Sequence, residues 1–385
     1  MGKHRDSSLK FALITTTVHV PKNLHAWTAF LRDGDLIVVA GDLKTPHEEV
    51  IALLDDVTRP HPKLTARYLS PTRQDTMYPL LSELTGWNTI QRRNFATLYA
   101  LQLGADVIIT VDDDNWPTTD ALDHADEFRA QFTDDAVVPL LDGGDWYNPC
   151  HVLLVQGPTE LIQGAPQFRR LWHRGFPRWL RESYVPVVYP ITPDPYLETG
   201  RVGVVASLWL GDPDVDALDR HPVALRVNYN SIPETDRNVT INSRTTWAPF
   251  NSQATAFRAE LAPALLYWPH VGRYDDIWAS FIAQKIMSTY DLHVSFGHPV
   301  VEQQRGEHTE RDFTAFLNDL ENEIFGMRHN REVVEAIRTW TADPTLSILE
   351  NTERLFYHVA TTCDFIPDST VKIFDEWLRI FKALS

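Results

Sequence analysis

Asp112, Asp113 and Asp114 follow directly on the apolar run Val107 to Val111 in the stretch GADVIITVDDDN. Three carboxylates this close repel one another unless a proton or a cation joins them. The apolar run reads as a strand buried on both faces, so it delivers the triplet to the rim of a sheet. Alternate residues of a strand point the same way, which lets Asp112 and Asp114 share one divalent ion. A charged turn closing a strand has an equal claim on composition alone. A second acidic pair, Asp275-Asp276, stands in YWPHVGRYDDIWAS just before an apolar helical run. Carboxylates there either cap the helix through its dipole or hold and move a proton. The segment HRGFPRWLRES adds Arg174 and Arg181 within a stretch rich in Pro, Gly, Trp and Tyr. Long loops of that kind tend to carry function.

These residues need a scaffold that brings them together. Phe11 to Thr15 and Asp35 to Ala40 read as strands, and the second ends in Gly41-Asp42. Thr45-Pro46-His47-Glu48 has the pattern of a capping box opening a helix, with Val50, Ile51, Leu53, Leu54 and Val57 on one face. A third strand is expected near Ala66 to Leu69, and a helix over Ile90 to Leu103 that Gly104 closes before the aspartate strand. Strand and helix in alternation open a parallel sheet, and ligands of such sheets sit at the carboxyl ends of the strands. Thr15, Thr16, Thr17, Asp42 and the aspartate triplet are thereby expected around one crevice. Val202 to Leu210 returns to strand character and runs into the acidic turn GDPDVD. Beyond His308 the pattern is helical. Phe313, Phe316, Leu317, Leu320 and Ile324 share one face, and Val371, Phe374, Leu378 and Phe381 another.

Composition narrows the partners. The chain has 385 residues, 43% of them hydrophobic, enough for a substantial core. Its formal charge of −17, with no Lys/Arg-rich block, argues against nucleic acid and anionic membranes. A phosphate-bearing ligand would have to be held by local arginines, helix N-termini or a metal. Cys150 and Cys363 stand far apart, so neither a disulfide framework nor a cysteine zinc site is indicated. No run approaches membrane-spanning length and the first apolar stretch is short for a signal sequence, so a cytoplasmic protein is expected and the sequon at Asn238 is expected to be inert.

Four segments, NFATLYALQLGADVIITVDDDN, HRGFPRWLRE, SLWLGDPDVDA and GRYDDIWAS, occur in an order that resembles the reversibly glycosylated polypeptide family, which includes the plant UDP-arabinopyranose mutases. The resemblance runs over most of residues 10 to 330. It implies an α/β GT-A fold, a Rossmann-like, mostly parallel sheet flanked by helices, as a nucleotide-sugar-binding catalytic domain over residues 1–305. A C-terminal helical extension, 306–385, is expected to pack on it. It also implies a UDP-sugar ligand, a divalent cation (Mn²⁺ or Mg²⁺) at the Asp-x-Asp element, and pyranose–furanose interconversion without flavin or nicotinamide. Asn115 stands where the family usually has cysteine.

Carried over residue by residue, the resemblance assigns Asp112 and Asp114 to the metal and turns Asp113 toward the nucleotide ribose. His298 and His308 are candidates to complete the metal shell, as a late histidine often does in GT-A enzymes. Thr15, Thr16, Thr17 and Asp42 form the base-binding corner. One of Arg92 and Arg93 reaches the diphosphate while the other is solvated; Arg93 and Asn94 are the choices for the nucleotide sugar. Arg174 and Arg181 match the two family arginines. A guanidinium is charged at any ordinary pH, so Arg174 suits a bidentate clamp on the diphosphate better than a nucleophile. Asp276, with Asp275 beside it, is expected to shuttle a proton between ring hydroxyls. The expected activity is a UDP-sugar mutase. A GT-A glycosyltransferase is the alternative, and a non-catalytic sugar-nucleotide-binding partner comes third. Whether the protein forms a homo-oligomer is left open.

Overall fold

The computed structural model describes residues 9–142, 144–152, 155–156, 168–169, 171–183, 198–212, 214–220, 239–297, 300–304 and 313–384. The first half alternates strand and helix. It contains β1 (Phe11–Thr17), α1 (Leu24–Trp27), β2 (Leu36–Gly41), α2 (His47–Thr58), β3 (Thr65–Leu69), α3 (Pro71–Met77), α4 (Pro79–Thr85), α5 (Arg93–Gln102) and β4 (Val107–Val111). Every residue of β1, β2 and β4 is buried, as apolar runs covered on both faces must be. Gly104 ends the α5 region at φ +80°, a left-handed position where a Cβ would be strained.

The second half begins with β5 (Asn115–Pro117), α6 (Thr119–Asp123), α7 (Ala125–Ala130), β6 (Val138–Pro139), β7 (Val155–Gln156), β8 (Phe168–Arg169), β9 (Thr199–Ala206) and β10 (Trp209–Gly211). It continues through α8 (Ala217–Arg220), β11 (Val239–Ile241), β12 (Ala254–Arg258), α9 (Asp275–Met287), β13 (Leu292–Phe296) and β14 (Val301–Gln303). Three helices follow: α10 (Phe313–Thr339), α11 (Ile348–Thr362) and α12 (Asp368–Leu384).

The main sheet runs β11-β13-β9-β12-β4-β1-β2-β3, with β6 beside β9. β1 pairs in parallel with both β2 and β4, as do β2 with β3 and β9 with β13. β12 is antiparallel to β4 and to β9, β11 to β13, and β6 to β9. The fold is therefore α/β with a mixed sheet: the Rossmann-like half lies on one side of β4, and on the other the antiparallel β12 separates β4 from the parallel pair β9 and β13. That junction sets the site, because β12 starts where β4 ends: Ala254 pairs with Val111.

Local details depart from the sequence reading. Thr45 does not cap α2, whose N-cap is Pro46 without a side-chain bond. The Thr45 hydroxyl instead accepts from Asp42 N at 2.7 Å and donates to Thr17 O at 2.5 Å, tying two strand ends together. Ile51 is exposed, while Val50, Leu54 and Val57 face the core. On α10, Leu317 and Ile324 are exposed, and the buried side carries Glu323, Asn330, Val333, Val334 and Ile337. The apolar stripe read from the first turns loses to a polar helix face that has a charged partner, described below. α12 buries Phe374, Leu378 and Phe381, with Val371 partly buried. These helices share one continuous core with the sheet: Trp268 packs on Phe356 at 4.9 Å and Phe356 stacks on Phe374 at 3.5 Å between ring centroids. The expected boundary at 305/306 and the sequon at Asn238 lie outside the described residues. Among the described residues no helix is long and apolar enough to cross a membrane.

Candidate active site

A cleft of about 750 Å³ opens at the carboxyl ends of β1 and β4, where a switch point of an α/β sheet places its ligands. Its wall includes Thr16, Asn88, Thr89, Gln91, Asp112, Asp113, Asp114, Arg174, Asp214, Ser252, Gln253, His270, Arg273, Asp275, Asp276, Gln303 and Asn322. Both acidic groups from the sequence, more than 150 positions apart, thus meet in one cavity.

The aspartate triplet is a turn between β4 and β5, closed by a hydrogen bond from Asn115 N to Asp112 O at 3.2 Å. Strand alternation therefore does not govern its side chains, and all three carboxylates line the cleft. Arg93 donates to Asp112 and, through Nη1, to Ser252 O at 3.1 Å. Thr17 Oγ1 lies 2.5 Å from Asp113 Oδ2. Asp114 accepts from Asn115 Nδ2 and from Gln303 Nε2, each at 3.0 Å. Burial pushes the Asp112 carboxyl up in pKa, and the Arg93 guanidinium pulls against it.

Beyond Ser252, which touches both Arg93 and Asp276, Arg174 is held by two carboxylates. Its Nη1 donates to Asp276 Oδ1 at 2.9 Å, and its Nη2 to Asp276 Oδ2 at 3.2 Å and Asp214 Oδ2 at 2.8 Å. Asp276 Oδ2 also accepts from Ser252 N at 2.9 Å and Oγ at 3.1 Å. Although burial opposes ionisation, Arg174 and these donors hold Asp276 below the ordinary carboxylate pKa. Its neighbour behaves oppositely. Asp275 accepts from Gln91 Nε2 at 2.7 Å, and burial beside the Asp276 charge pushes it up to about 7. The environments of two adjacent carboxylates thus drive them apart, one toward the anion and the other toward the acid.

Asp276 is held as an anion, and Asp275 is the carboxyl of the pair that is pushed toward its protonated form. The Arg174 fork is engaged by Asp276 and Asp214. Arg181 is not part of the cleft wall: it pairs with Asp216 at 2.7 Å and lies over Trp172. Neither Arg92 nor Arg93 is solvated. Arg92 donates to Ser82 Oγ at 2.8 Å and stacks on Trp87 at 3.3 Å, and Arg93 is buried against Asp112. Asn94 spans the backbone of Tyr267, donating to its O at 3.1 Å and accepting from its N at 3.0 Å. Asp42 is buried and accepts from the amides of Asn88, at 2.7 and 2.9 Å, and Thr89, at 3.2 Å. It therefore positions the 88–89 wall and is not left open to a base. Of Thr15, Thr16 and Thr17, only Thr16 is in the cleft wall. His298 and His308 lie outside the described residues.

Residues that the sequence reading passed over complete the site. Arg273 donates to Asp214 Oδ1 at 2.5 Å and to Glu323 Oε1 at 3.0 Å, and Glu323 Oε2 accepts from Ala217 N at 2.9 Å. Glu323 is fully buried, so α10 inserts a charge into the base of the cleft wall. Arg273 and Asp214 stand inside the segments GRYDD and GDPDVD and were within reach of the sequence. Gln91, Gln253, Gln303 and Asn322 carried no signal, since isolated amides have no spacing rule.

The wall sets six carboxylates, Asp112, Asp113, Asp114, Asp214, Asp275 and Asp276, against two arginines, Arg174 and Arg273. A diphosphate entering such a field needs a cation. Among the described residues no group of three or more His, Cys, Asp or Glu side chains forms a ready-made metal shell. The hard oxygen donors of the 112–114 turn fit a divalent ion that takes one or two ligands from protein and the rest from substrate phosphates and water.

No family model matches the chain, and no curated protein matches it. Among solved structures it is similar to the mannosyltransferase PcManGT from Pyrobaculum calidifontis in complex with GDP-Man and Mn²⁺, at 13% identity over 98% of this chain and 86% of that one, TM-score 0.43. It is also similar to GalNAc-T7 with UDP, GalNAc and Mn²⁺, at 10% identity over 92% of this chain and 58% of that one, TM-score 0.34. The WbbM bifunctional glycosyltransferase aligns at 14% identity over 87% of this chain and 52% of that one, TM-score 0.28. None of these likenesses is specific to the reversibly glycosylated polypeptide family, and at such TM-scores none bears on the chemistry, which rests on the cleft itself.

Proposed function

We propose that the protein is a GT-A-like enzyme that transfers a sugar from a nucleoside diphosphate donor to an acceptor hydroxyl, with a divalent cation at the 112–114 turn. The observation that carries this reading is the convergence, in one cleft of 750 Å³, of the aspartate turn with a buried carboxyl whose pKa is pushed up to about 7. A base poised there matches the working pH, which is what deprotonation of an acceptor hydroxyl requires.

Asp112 and Asp114 would hold the cation, which when bound neutralises charge on the departing diphosphate. Thr16 and the 88–89 wall stand on the β1 side of the turn, where the nucleoside is accommodated. Asp275, oriented by Gln91, accepts the proton of the attacking hydroxyl. Asp276, kept ionised by Arg174 and Ser252, brings negative charge that favours positive character at the sugar carbon as its bond to the diphosphate breaks.

A pyranose–furanose mutase is the second reading, supported by the four ordered segments and by Arg174 standing in the cleft. Arg174 flanked by Asp214 and Asp276 is held firmly protonated, so it has no lone pair with which to attack a sugar. A mutase here would thus work without an arginine adduct.

Product analysis decides between the two. The protein is incubated with Mn²⁺ and a panel of UDP- and GDP-sugars, with and without saccharide acceptors. Release of nucleoside diphosphate that depends on acceptor supports transfer. Formation of a nucleotide furanose without acceptor would replace it with the mutase, and binding with neither product would leave a non-catalytic binding protein.

A further inference from the structure

Gln253 immediately precedes β12, level with Asp112 across the junction where Ala254 pairs with Val111. Its side chain is 4% exposed, lies in the cleft wall, and has neither Nε2 nor Oε1 hydrogen-bonded. Burying an amide without partners is costly, so such a group persists where a ligand completes it. Across the aspartate turn, Gln303 is fixed by Asp114 through its Nε2, and its Oε1 is likewise buried and unpartnered. Two buried carbonyl acceptors without partners thus belong to residues that line the same cavity.

The chemistry of those atoms selects what they meet. Diphosphate oxygens carry no proton at neutral pH and cannot satisfy a carbonyl acceptor. A hydroxyl can both donate and accept, and two neighbouring hydroxyls match an amide edge, one donating to Oε1 and the other accepting from Nε2. Position narrows the choice further. Gln253 lies on the β12 side of the turn beside Ser252, which holds Asp276, whereas Thr16 and the 88–89 wall lie on the β1 side.

We infer that Gln253 is a specificity-determining residue that reads a pair of adjacent hydroxyls on the sugar of the nucleotide donor. The inference rests on the donor reading above and adds to it the part of the substrate that Gln253 contacts.

Isothermal titration of the full chain with Mn²⁺ tests both levels separately. The ligands are UDP, GDP, UDP-glucose, UDP-galactose and GDP-mannose, followed by monodeoxy analogues of whichever sugar binds best. The measured quantity is the affinity gained by the sugar over its parent diphosphate. In the unaltered protein, removal of either of two adjacent hydroxyls is expected to lower that gain about tenfold. Gln253→Met, of similar length but without hydrogen bonds, is expected to lower it about tenfold or more, to leave diphosphate affinity within about twofold, and to bind the parent sugar and its sensitive deoxy analogues alike. Equal affinity of all deoxy analogues for the unaltered protein would overturn the inference. So would a folded Gln253→Met protein with an undiminished gain, or one that loses diphosphate affinity in parallel. Failure of every diphosphate and sugar to bind the unaltered protein would instead remove the donor reading itself.

Discussion

Asp275 and Asp276 are neighbours in sequence and opposites in chemistry, and the difference is made by what each touches. Asp276 meets a guanidinium and two Ser252 donors, while Asp275 has Gln91 and the repulsion of its neighbour. Activity that depends on Asp275 as a base should rise with pH through about 7 as the carboxyl ionises, and Asp275→Asn should lower turnover about 10²- to 10⁴-fold while flattening that limb. The stability effect has a definite sign. A carboxyl raised in the folded state contributes stability at low pH that is lost as pH rises through about 7, so Asp275→Asn should melt higher than the unaltered protein at pH 8 and show little advantage at pH 5. Calorimetric melting at the two values checks it. Arg174→Met should cost about 3–5 kcal/mol in chemical denaturation, because it leaves Asp214 and Asp276 short of a buried partner. For the aspartate turn, chelation by EDTA and the substitution Asp114→Asn should each weaken binding of a nucleoside diphosphate, and the Asp114→Asn protein should still melt cooperatively, as titration and melting curves would show.

Among the elements, the least tolerant contact lies between the turn before α9 and helix α10. Gly272 has φ +62°, and a Cβ there would meet the backbone oxygen of Asn322. Gly272→Ala should therefore destabilise the fold by about 1–3 kcal/mol and lower activity, although it removes no side-chain function. Thermal melting and a steady-state assay test the pair of effects. The same contact shows what the sequence conveyed and what it withheld. Val107 to Val111 announced its strand because burial on both faces leaves an unbroken apolar run, and β4 has those bounds. Asp275 opening a helix was legible for the same local reason. The mixed direction of the sheet was not, since β12 is only five residues long and its pairing with β4 depends on contacts about 145 positions away. Nor could spacing show that Arg92, Arg93 and Asn94 are spent on structure, because burial of a polar side chain is decided by partners distant in sequence.

Over the whole molecule, the helices from Phe313 onward cover part of the main core and do not form a separate layer with its own interior. Trp268 and Trp278 are buried beneath Phe356, Phe325 and Phe365. A chain ending before Phe313 should accordingly expose these rings, bind a hydrophobic dye and aggregate. A soluble, cooperatively melting product of that truncation would show the helices to be dispensable. The net charge of −17 belongs to this scale as well. Toward the proposed anionic donor it is a repulsion that salt screens, so affinity is expected to rise with NaCl and to rise further with MgCl₂ at equal ionic strength, as titrations in the two salts can show.

The buried Glu323 bears on how this protein can be altered. Because α10 supplies Glu323 and Asp319 to Arg273 as well as the Asn322 wall, the segment that covers the core also shapes the cleft. Exchange of that segment for one from another protein could not be a swap of inert packing: it would carry off a piece of the cleft wall and leave Arg273 with Asp214 as its remaining anion, tightening the tie between Arg273 and the carboxylate that Arg174 shares. A tail that can be replaced without touching the cleft is thus not what α10 is.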